Sequence, residues 1–318
     1  MLRVLVTRRW PEAVEAVLAD KFDVTLNGSD TPLTQAELAR AMAEYDVLCP
    51  TVSDCIDAEV LCGGDRVKLI ANYGVGFDHI DCAEAKAAGI AVSNTPGVLT
   101  DATADLTITL MLMATRRASE GERELRRGDW SGWRPTHLIG AGLQDKVLGI
   151  VGFGRIGQAV ARRARHGFGM RIAYHSSSEK SEAKEVDARY FDDLHDLLAN
   201  SEIVSLHMPG GAETEHLIDA EAIAAMRPGA YLINTARGSV LDHNALADAL
   251  HSGHLAGAGL DVYPDEPDVP PDLLEVDSAV LLPHLGSATR EAREAMGMRA
   301  LENIRAHAKG HDLPDRVA

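Results

Sequence analysis

Short apolar runs rich in β-branched residues alternate with helix-period stretches along nearly the whole chain. In the first third the runs are RVLVT (3–7), FDVTL (22–26), DVLCP (46–50), KLIAN (68–72) and IAVSN (90–94). Between them, polar and apolar positions repeat at helical spacing, as in LTQAELARAMAEY, where Thr34 and Glu37 form a capping-box pattern. A second series opens at KVLGIV (146–151). It continues through RIAYH (171–175), IVSLHMP (203–209), YLINTA (231–236), GAGLDVY (257–263) and AVLLP (279–283). Strands alternating with helices predict α/β architecture, in which parallel strands are joined by crossover helices. Five strands followed by six predict two doubly wound parallel sheets rather than one very wide sheet.

A long helical pattern from about Leu99 to Arg127 separates the two series, and Gly128 is placed to stop it. Another, TREAREAMGMRALENIRAHAKG (289–310), follows the last strand and is expected to return the chain to the first domain. At 318 residues the chain is long enough for two separate cores. A formal net charge of −17 argues against nucleic acid or an anionic membrane as the main partner. It leaves room for an anionic small substrate, because a few cations can reverse the field inside a cleft. The longest strongly apolar stretch, LTITLMLMA (106–114), is less than half of a membrane span. MLRVLVTRRW begins as a strand, so no signal peptide is read and the expected location is the cytoplasm. Cys49, Cys55, Cys62 and Cys82 form no CxxC pair, and no histidine cluster has metal-ligand spacing. Reduced thiols and no metal are expected.

The second series opens with the sharpest motif. In VLGIVGFGRIGQAVARRA, Gly152, Gly154 and Gly157 form G-x-G-x-x-G between a strand and a helix. The first glycine permits the turn, the second lets a pyrophosphate approach the backbone, and the third allows close helix–strand packing. The N–H groups of Arg155 and Ile156 would then face the phosphates, aided by the helix dipole. A Rossmann-type dinucleotide site follows. Its usual ribose-binding acid would fall at His175 to Ser177, just after RIAY, and none of these three positions holds an Asp or Glu. Ser176, Ser177 and Ser178, with Lys180, can instead tolerate or hold a 2′-phosphate, so NADP(H) is the expected cofactor, with NAD(H) possible.

Further candidates lie at later strand ends, the edge where open α/β sheets bind ligands. His207 and Pro209 lie at the end of one strand run; Thr235 and Ala236 end another, with Arg237 just past it; Asp261 and Glu266 lie in LDVYPDEP; His284 and Gly286 lie in LLPHLGSAT. An Arg, a Glu and a His converging on a cofactor cleft suit the reduction of a 2-oxo acid. The guanidinium of Arg237 can grip a carboxylate in bidentate fashion. The imidazolium of His284 can give a proton to a carbonyl oxygen as hydride reaches its carbon. Glu266 would orient the ring and favour its charged form.

Taken in order, NYGVGFDHID, VSNTPGVLTDATADL, GIVGFGRIG, NTARG, GLDVYPDEP and LLPHLGSAT make nearly the whole chain resemble the D-isomer-specific 2-hydroxyacid dehydrogenases. The segment from GDWSGW through RIAYH looks most like their glyoxylate/hydroxypyruvate reductases. The resemblance implies two doubly wound domains. One is a smaller, flavodoxin-like substrate domain of residues 1–98 plus 290–318. The other is a Rossmann cofactor domain of residues 99–289. It implies that Arg237, Glu266 and His284 are catalytic, with Asp261 and Thr103 near the nicotinamide. It places the N–H groups of Val75 and Gly76 on the substrate carboxylate and Val52 on the pocket wall, with substrate bound between the domains. It makes the segment around Trp130 and Trp133 a dimerisation loop, hence a homodimer. The expected activity is NADPH-preferring reduction of glyoxylate or hydroxypyruvate to glycolate or D-glycerate. Rival readings are an NAD-dependent D-2-hydroxyacid or 3-phosphoglycerate dehydrogenase, and a nicotinamide sensor without turnover. The missing acid after RIAYH departs from the NAD-dependent members.

Overall fold

In the first third of the chain each β-branched run forms one short strand: β1 Arg3–Val6, β2 Asp23–Leu26, β3 Val47–Cys49, β4 Leu69–Ala71 and β5 Ala91–Ser93. These are elements of a computed structural model that describes all of residues 1–318. The strands pair in parallel in the order β2-β1-β3-β4-β5, a flavodoxin-like winding. Central β3 and β4 are buried throughout, as expected of parallel strands covered on both faces, whereas edge strand β2 alternates exposed and half-buried positions. The predicted capping box is present: Thr34 and Glu37 bond reciprocally at the start of the helix Gln35–Glu44.

The second series forms a seven-stranded parallel sheet. Its strands are β6 Val147–Val151, β7 Arg171–His175, β8 Arg189–Tyr190, β9 Ile203–Leu206, β10 Ala230–Asn234, β11 Leu255–Leu260 and β12 Ala279–Leu281. The order is β12-β11-β10-β9-β6-β7-β8, so the winding reverses between β6 and β9. The expectation of two doubly wound α/β sheets is met, with one strand more than the sequence pattern showed. The additional strand, β8, is a two-residue edge paired through Ala173–Arg189 and Tyr174–Tyr190, too short to leave a periodic signal.

The chain divides into two compact units: Met1–Leu99 with Ser287–Ala318, and Thr100–Gly286. In the first, the helix Arg290–Ala308 packs against β4. The final residues add to β5, with Val317 N–H donating to Val92 O at 2.8 Å. In the second, two apolar clusters cover the two faces of the sheet, one including Leu232, Leu246 and Leu260, the other Ile150, Tyr174 and Ile233. The helix Thr100–Thr115 lies in the latter cluster and presents Leu110 and Met111.

Several elements end sooner than the sequence pattern predicts. The helical stretch from Leu99 to Arg127 is two helices, Thr100–Thr115 and Ala118–Arg127. The Thr115 carbonyl, which would accept from the next turn, accepts instead from Ala141 N–H at 2.8 Å, and Arg117 turns left-handed at φ 52°. Gly128 ends the second helix as expected, at φ 77°. IVSLHMP and GAGLDVY stop being strand at Leu206 and Leu260, which frees His207, Pro209 and Asp261 for the sheet edge. No helix is long and apolar enough to cross a membrane.

Leu110 is fully buried in a helix that packs directly on β11. Leu110→Ala should destabilise the second unit by about 2–5 kcal/mol, measured as a lower urea midpoint with unchanged slope.

Candidate active site

β6 runs into Gly152 at φ 91°, a conformation that requires glycine here. A Cβ on Gly152 would stand 2.6 Å from the His207 carbonyl carbon, and one on Gly157 would stand 2.3 Å from Gly152 O. Gly154, which caps the helix Arg155–Phe168, has nothing within 4 Å of its missing Cβ. Two glycines therefore bring the protein's own backbone together, and the middle one leaves open space before a 14-residue helix. The Arg155 and Ile156 N–H groups lie in the first turn of that helix. This is the cradle a pyrophosphate needs, so the loop fits a dinucleotide.

The neighbouring strands flank the loop. Gly152 N–H donates to His175 O at 2.9 Å, and His207 N–H donates to Val151 O at 2.7 Å. Beyond β7, the Ser176 hydroxyl donates to Ser178 O at 2.7 Å, and Lys180 Nζ donates to Ser178 Oγ at 2.9 Å. The Lys180 N–H donates to the buried Tyr174 hydroxyl at 2.8 Å, which holds this turn against the sheet. Ser177 and Ser178 are exposed, and no carboxylate stands among Ser176, Ser177 and Ser178. Burial lowers the pKa of the His207 ring to about 3. Its Nε2 meets the Ser205 hydroxyl of β9 at 2.8 Å, and the ring there is neutral. Pro209 is exposed, and its carbonyl accepts from the Thr214 hydroxyl at 2.7 Å.

At the end of β10, Asn234 organises NTARG. Its Oδ1 accepts from Ala236 N–H at 2.9 Å and its Nδ2 donates to Arg237 O at 2.8 Å. Thr235 is tied to Thr107 through their hydroxyls at 2.8 Å. Gly238 follows, and a Cβ there would overlap the Tyr263 carbonyl carbon at 1.9 Å. The backbone carrying Arg237 therefore touches the backbone leading to Glu266.

The ends of β11 and β12 are joined by Asp261. Its N–H donates to Asn234 O at 3.0 Å, and its carbonyl accepts from His284 N–H at 3.0 Å. Its carboxylate accepts from Leu285 N–H at 2.6 Å and Gly286 N–H at 2.7 Å. Burial raises the Asp261 pKa, against the opposing pull of those N–H groups and the His284 charge. Thr103 completes the cluster by donating from its hydroxyl to Gly286 O at 3.1 Å.

His284 Nδ1 meets Glu266 Oε2 at 2.7 Å, and the other Glu266 oxygen accepts from Tyr263 N–H at 3.1 Å. Burial alone would raise the Glu266 pKa. The hydrogen bond and charge of His284, the Tyr263 N–H and the charge of Arg237 outweigh it, so Glu266 sits below its ordinary value. Glu266 is a carboxylate, and it binds the ring through Nδ1. The ring is partly exposed, with 30% of its side-chain surface accessible, so a reactant can reach it.

The structure thus gathers Thr235, Ala236, Arg237, Asp261, Glu266, His284 and Gly286 at neighbouring strand ends of the second unit, with Thr103 reaching Gly286 from the helix Thr100–Thr115. Val52, 42% exposed, lies in the loop after β3 of the first unit, and Val75 and Gly76 lie in the loop after β4. Sequence reasoning missed Asn234 and Tyr263, which position the loops without offering reactive groups. The one available signal for Asn234 was an Asn at a strand end, a residue type that bonds its own following backbone.

Gly238→Ala should force apart the backbone segments that carry Arg237 and Glu266. A misplacement of this kind is expected to lower kcat/KM by about 100-fold, with the circular-dichroism spectrum unchanged.

Residues 108–286 match the profile of the D-isomer specific 2-hydroxyacid dehydrogenase, NAD binding domain. A glyoxylate reductase of Thermococcus litoralis is 44% identical over 99% of this chain and 96% of its own length. A Thermus thermophilus protein of solved structure superposes with a TM-score of 0.92 at 45% identity, covering 100% of both chains. An NADPH-dependent glyoxylate/hydroxypyruvate reductase from Sinorhizobium meliloti, solved with NADP and malonate, superposes with a TM-score of 0.88. It is 32% identical over 100% of this chain and 97% of its own. The chain therefore belongs to the D-isomer-specific 2-hydroxyacid dehydrogenases, and it is a nicotinamide-dependent oxidoreductase acting on a CH–OH group.

Proposed function

We propose that this enzyme reduces small 2-oxo acids, glyoxylate and hydroxypyruvate, to glycolate and D-glycerate, with NADPH preferred over NADH. The Glu266–His284 pair at 2.7 Å carries the reading. The names of the Thermococcus and Sinorhizobium relatives support the substrate class. A sensor without turnover has no need of an ionised glutamate behind an accessible histidine.

In this reading a bound nicotinamide supplies the hydride to the carbonyl carbon. Gly152, Gly154, Gly157 and the Arg155 and Ile156 N–H groups hold the cofactor's phosphates. Ser176, Ser177, Ser178 and Lys180 take the 2′-phosphate, and His207, Pro209, Thr235 and Ala236 border the cofactor. Thr103, Asp261 and Gly286 form the wall nearest the reacting ring. Arg237 grips the substrate carboxylate, joined by the Val75 and Gly76 N–H groups, with Val52 bounding the pocket. Glu266 keeps the His284 ring oriented through Nδ1, which leaves Nε2 to deliver its proton to the carbonyl oxygen. The product is the neutral alcohol. The same groups run the reverse reaction when His284 begins without that proton.

The enzyme is further proposed to act in the cytoplasm as a homodimer. Trp130 is 51% exposed and Trp133 82% exposed, with Leu125 and Ile139 also exposed nearby in sequence. Apolar surface of this extent supports burial against a second copy.

His284→Ala should lower turnover of glyoxylate by about 10²–10⁴-fold while NADPH binding, followed by fluorescence titration, stays unchanged. Near-normal turnover of that variant would remove the assignment. Ser176→Asp places a negative charge where the 2′-phosphate is proposed to sit. It should shift the NADPH/NADH ratio of kcat/KM toward NADH by about tenfold or more, and an unchanged ratio would put the discriminating residue elsewhere.

A further inference from the structure

The loop after β4 displays a feature that the catalytic set does not account for. Asn72, fully buried at the end of β4, donates from Nδ2 to Gly74 O at 3.1 Å and to Gly76 O at 2.8 Å. Asn94, also buried, donates from Nδ2 to the intervening Val75 O at 2.8 Å. Thr95 N–H reinforces the first of these by donating to Gly74 O at 3.0 Å. Three successive carbonyls are thus held by two side-chain amides.

A trans peptide is planar, with its C=O and the next N–H pointing in opposite directions. Holding the carbonyls of Gly74, Val75 and Gly76 toward the asparagines therefore turns the N–H groups of Val75, Gly76 and Phe77 the other way. Within the protein these three N–H groups donate to no acceptor. Successive free N–H groups on one side of a loop make an anion-binding concavity.

The orientation of the Asn72 amide is itself determined. Two carbonyls require its NH₂ group, so Oδ1 faces the third partner, His79 Nε2, at 3.0 Å. An amide oxygen can only accept, so Nε2 of His79 must carry the hydrogen. A chain of contacts runs from His79 through Asn72 to the peptide planes of the loop.

We infer that Asn72 is a positioning residue that orients the Val75 and Gly76 N–H groups toward the substrate carboxylate, and that His79 fixes the Asn72 amide for that task. The inference rests on the proposed function, in which those N–H groups grip a 2-oxo acid. Neither side chain touches the reacting atoms. A carboxylate grip of this kind is shared by ground and transition states, so its loss raises KM more than it lowers kcat.

The test uses the NADPH-loaded enzyme with glyoxylate as substrate and oxalate as a carboxylate that cannot be reduced. Asn72→Leu, close to Asn in size but unable to donate, should raise the glyoxylate KM and the oxalate Kd together by about 10- to 100-fold. It should leave kcat within about threefold and NADPH affinity little changed, with Tm lowered by the unpaired Gly76 carbonyl and His79 N–H but the fold retained at the assay temperature. His79→Phe should give a smaller rise in the same two constants. His79→Gln, which retains a donor near the Nε2 position, should restore them, and this pair tests the idea even where Asn72→Leu does not fold. Unchanged KM and oxalate Kd in folded Asn72→Leu, or equal effects of His79→Phe and His79→Gln, would overturn the inference. So would a loss of NADPH affinity and kcat together in the folded variant. A wild-type enzyme that neither reduces glyoxylate nor binds oxalate would instead overturn the functional reading beneath it.

Discussion

The strand-end edge of the second unit proposed to be catalytic is held together by one buried carboxylate. Asp261, 1% exposed, takes the N–H groups of Leu285 and Gly286 on its two oxygens while its backbone bonds both Asn234 and His284. It thereby joins the strand ends that carry Arg237, Glu266 and His284. His284 itself is held at φ 53°, a left-handed conformation that is unfavourable for a residue with a side chain. Such strain is of the order of 1–3 kcal/mol and persists only where the surroundings over-determine it. Here the two hydrogen bonds to Asp261 on the residues just after His284, and the one on His284 itself, supply that determination. The cost of burying the carboxylate is visible in its raised pKa, which the N–H donors and the His284 charge partly offset.

The nucleotide side depends on a different balance, between close packing and open space. Gly152 and Gly157 are glycines because protein backbone occupies the room a side chain would need, whereas Gly154 faces space. The strands on either side then contribute unlike surfaces, with hydroxyls and an ammonium after β7 and a neutral imidazole after β9. No carboxylate stands at Ser176, Ser177 or Ser178, the positions proposed for a 2′-phosphate.

Much of this was legible in the sequence because the signals are local. Alternating strand and helix patterns placed eleven of the strands, and G-x-G-x-x-G placed the loop that fits a dinucleotide. The Arg237, Glu266 and His284 set could be suggested because each follows a strand. The hidden parts are those that depend on the partner of a group rather than on its type. The break at Arg117 follows from Ala141 claiming the Thr115 carbonyl, a contact far away along the chain. Asn72, Asn94 and Asn234 read in sequence as ordinary strand-end polar residues, and only their bonds to loop carbonyls reveal what they hold. β8 escaped because two residues cannot display a period.

The central claim is that His284, held through Nδ1 by Glu266, gives up one proton in reduction and accepts it in oxidation. The most direct test is the pH dependence of kcat/KM measured in both directions on the same enzyme, glyoxylate with NADPH and glycolate with NADP. The account predicts that reduction falls and oxidation rises with increasing pH, each through a single ionisation of the same group. Profiles that move in the same direction, or that survive unchanged in His284→Ala, would contradict it.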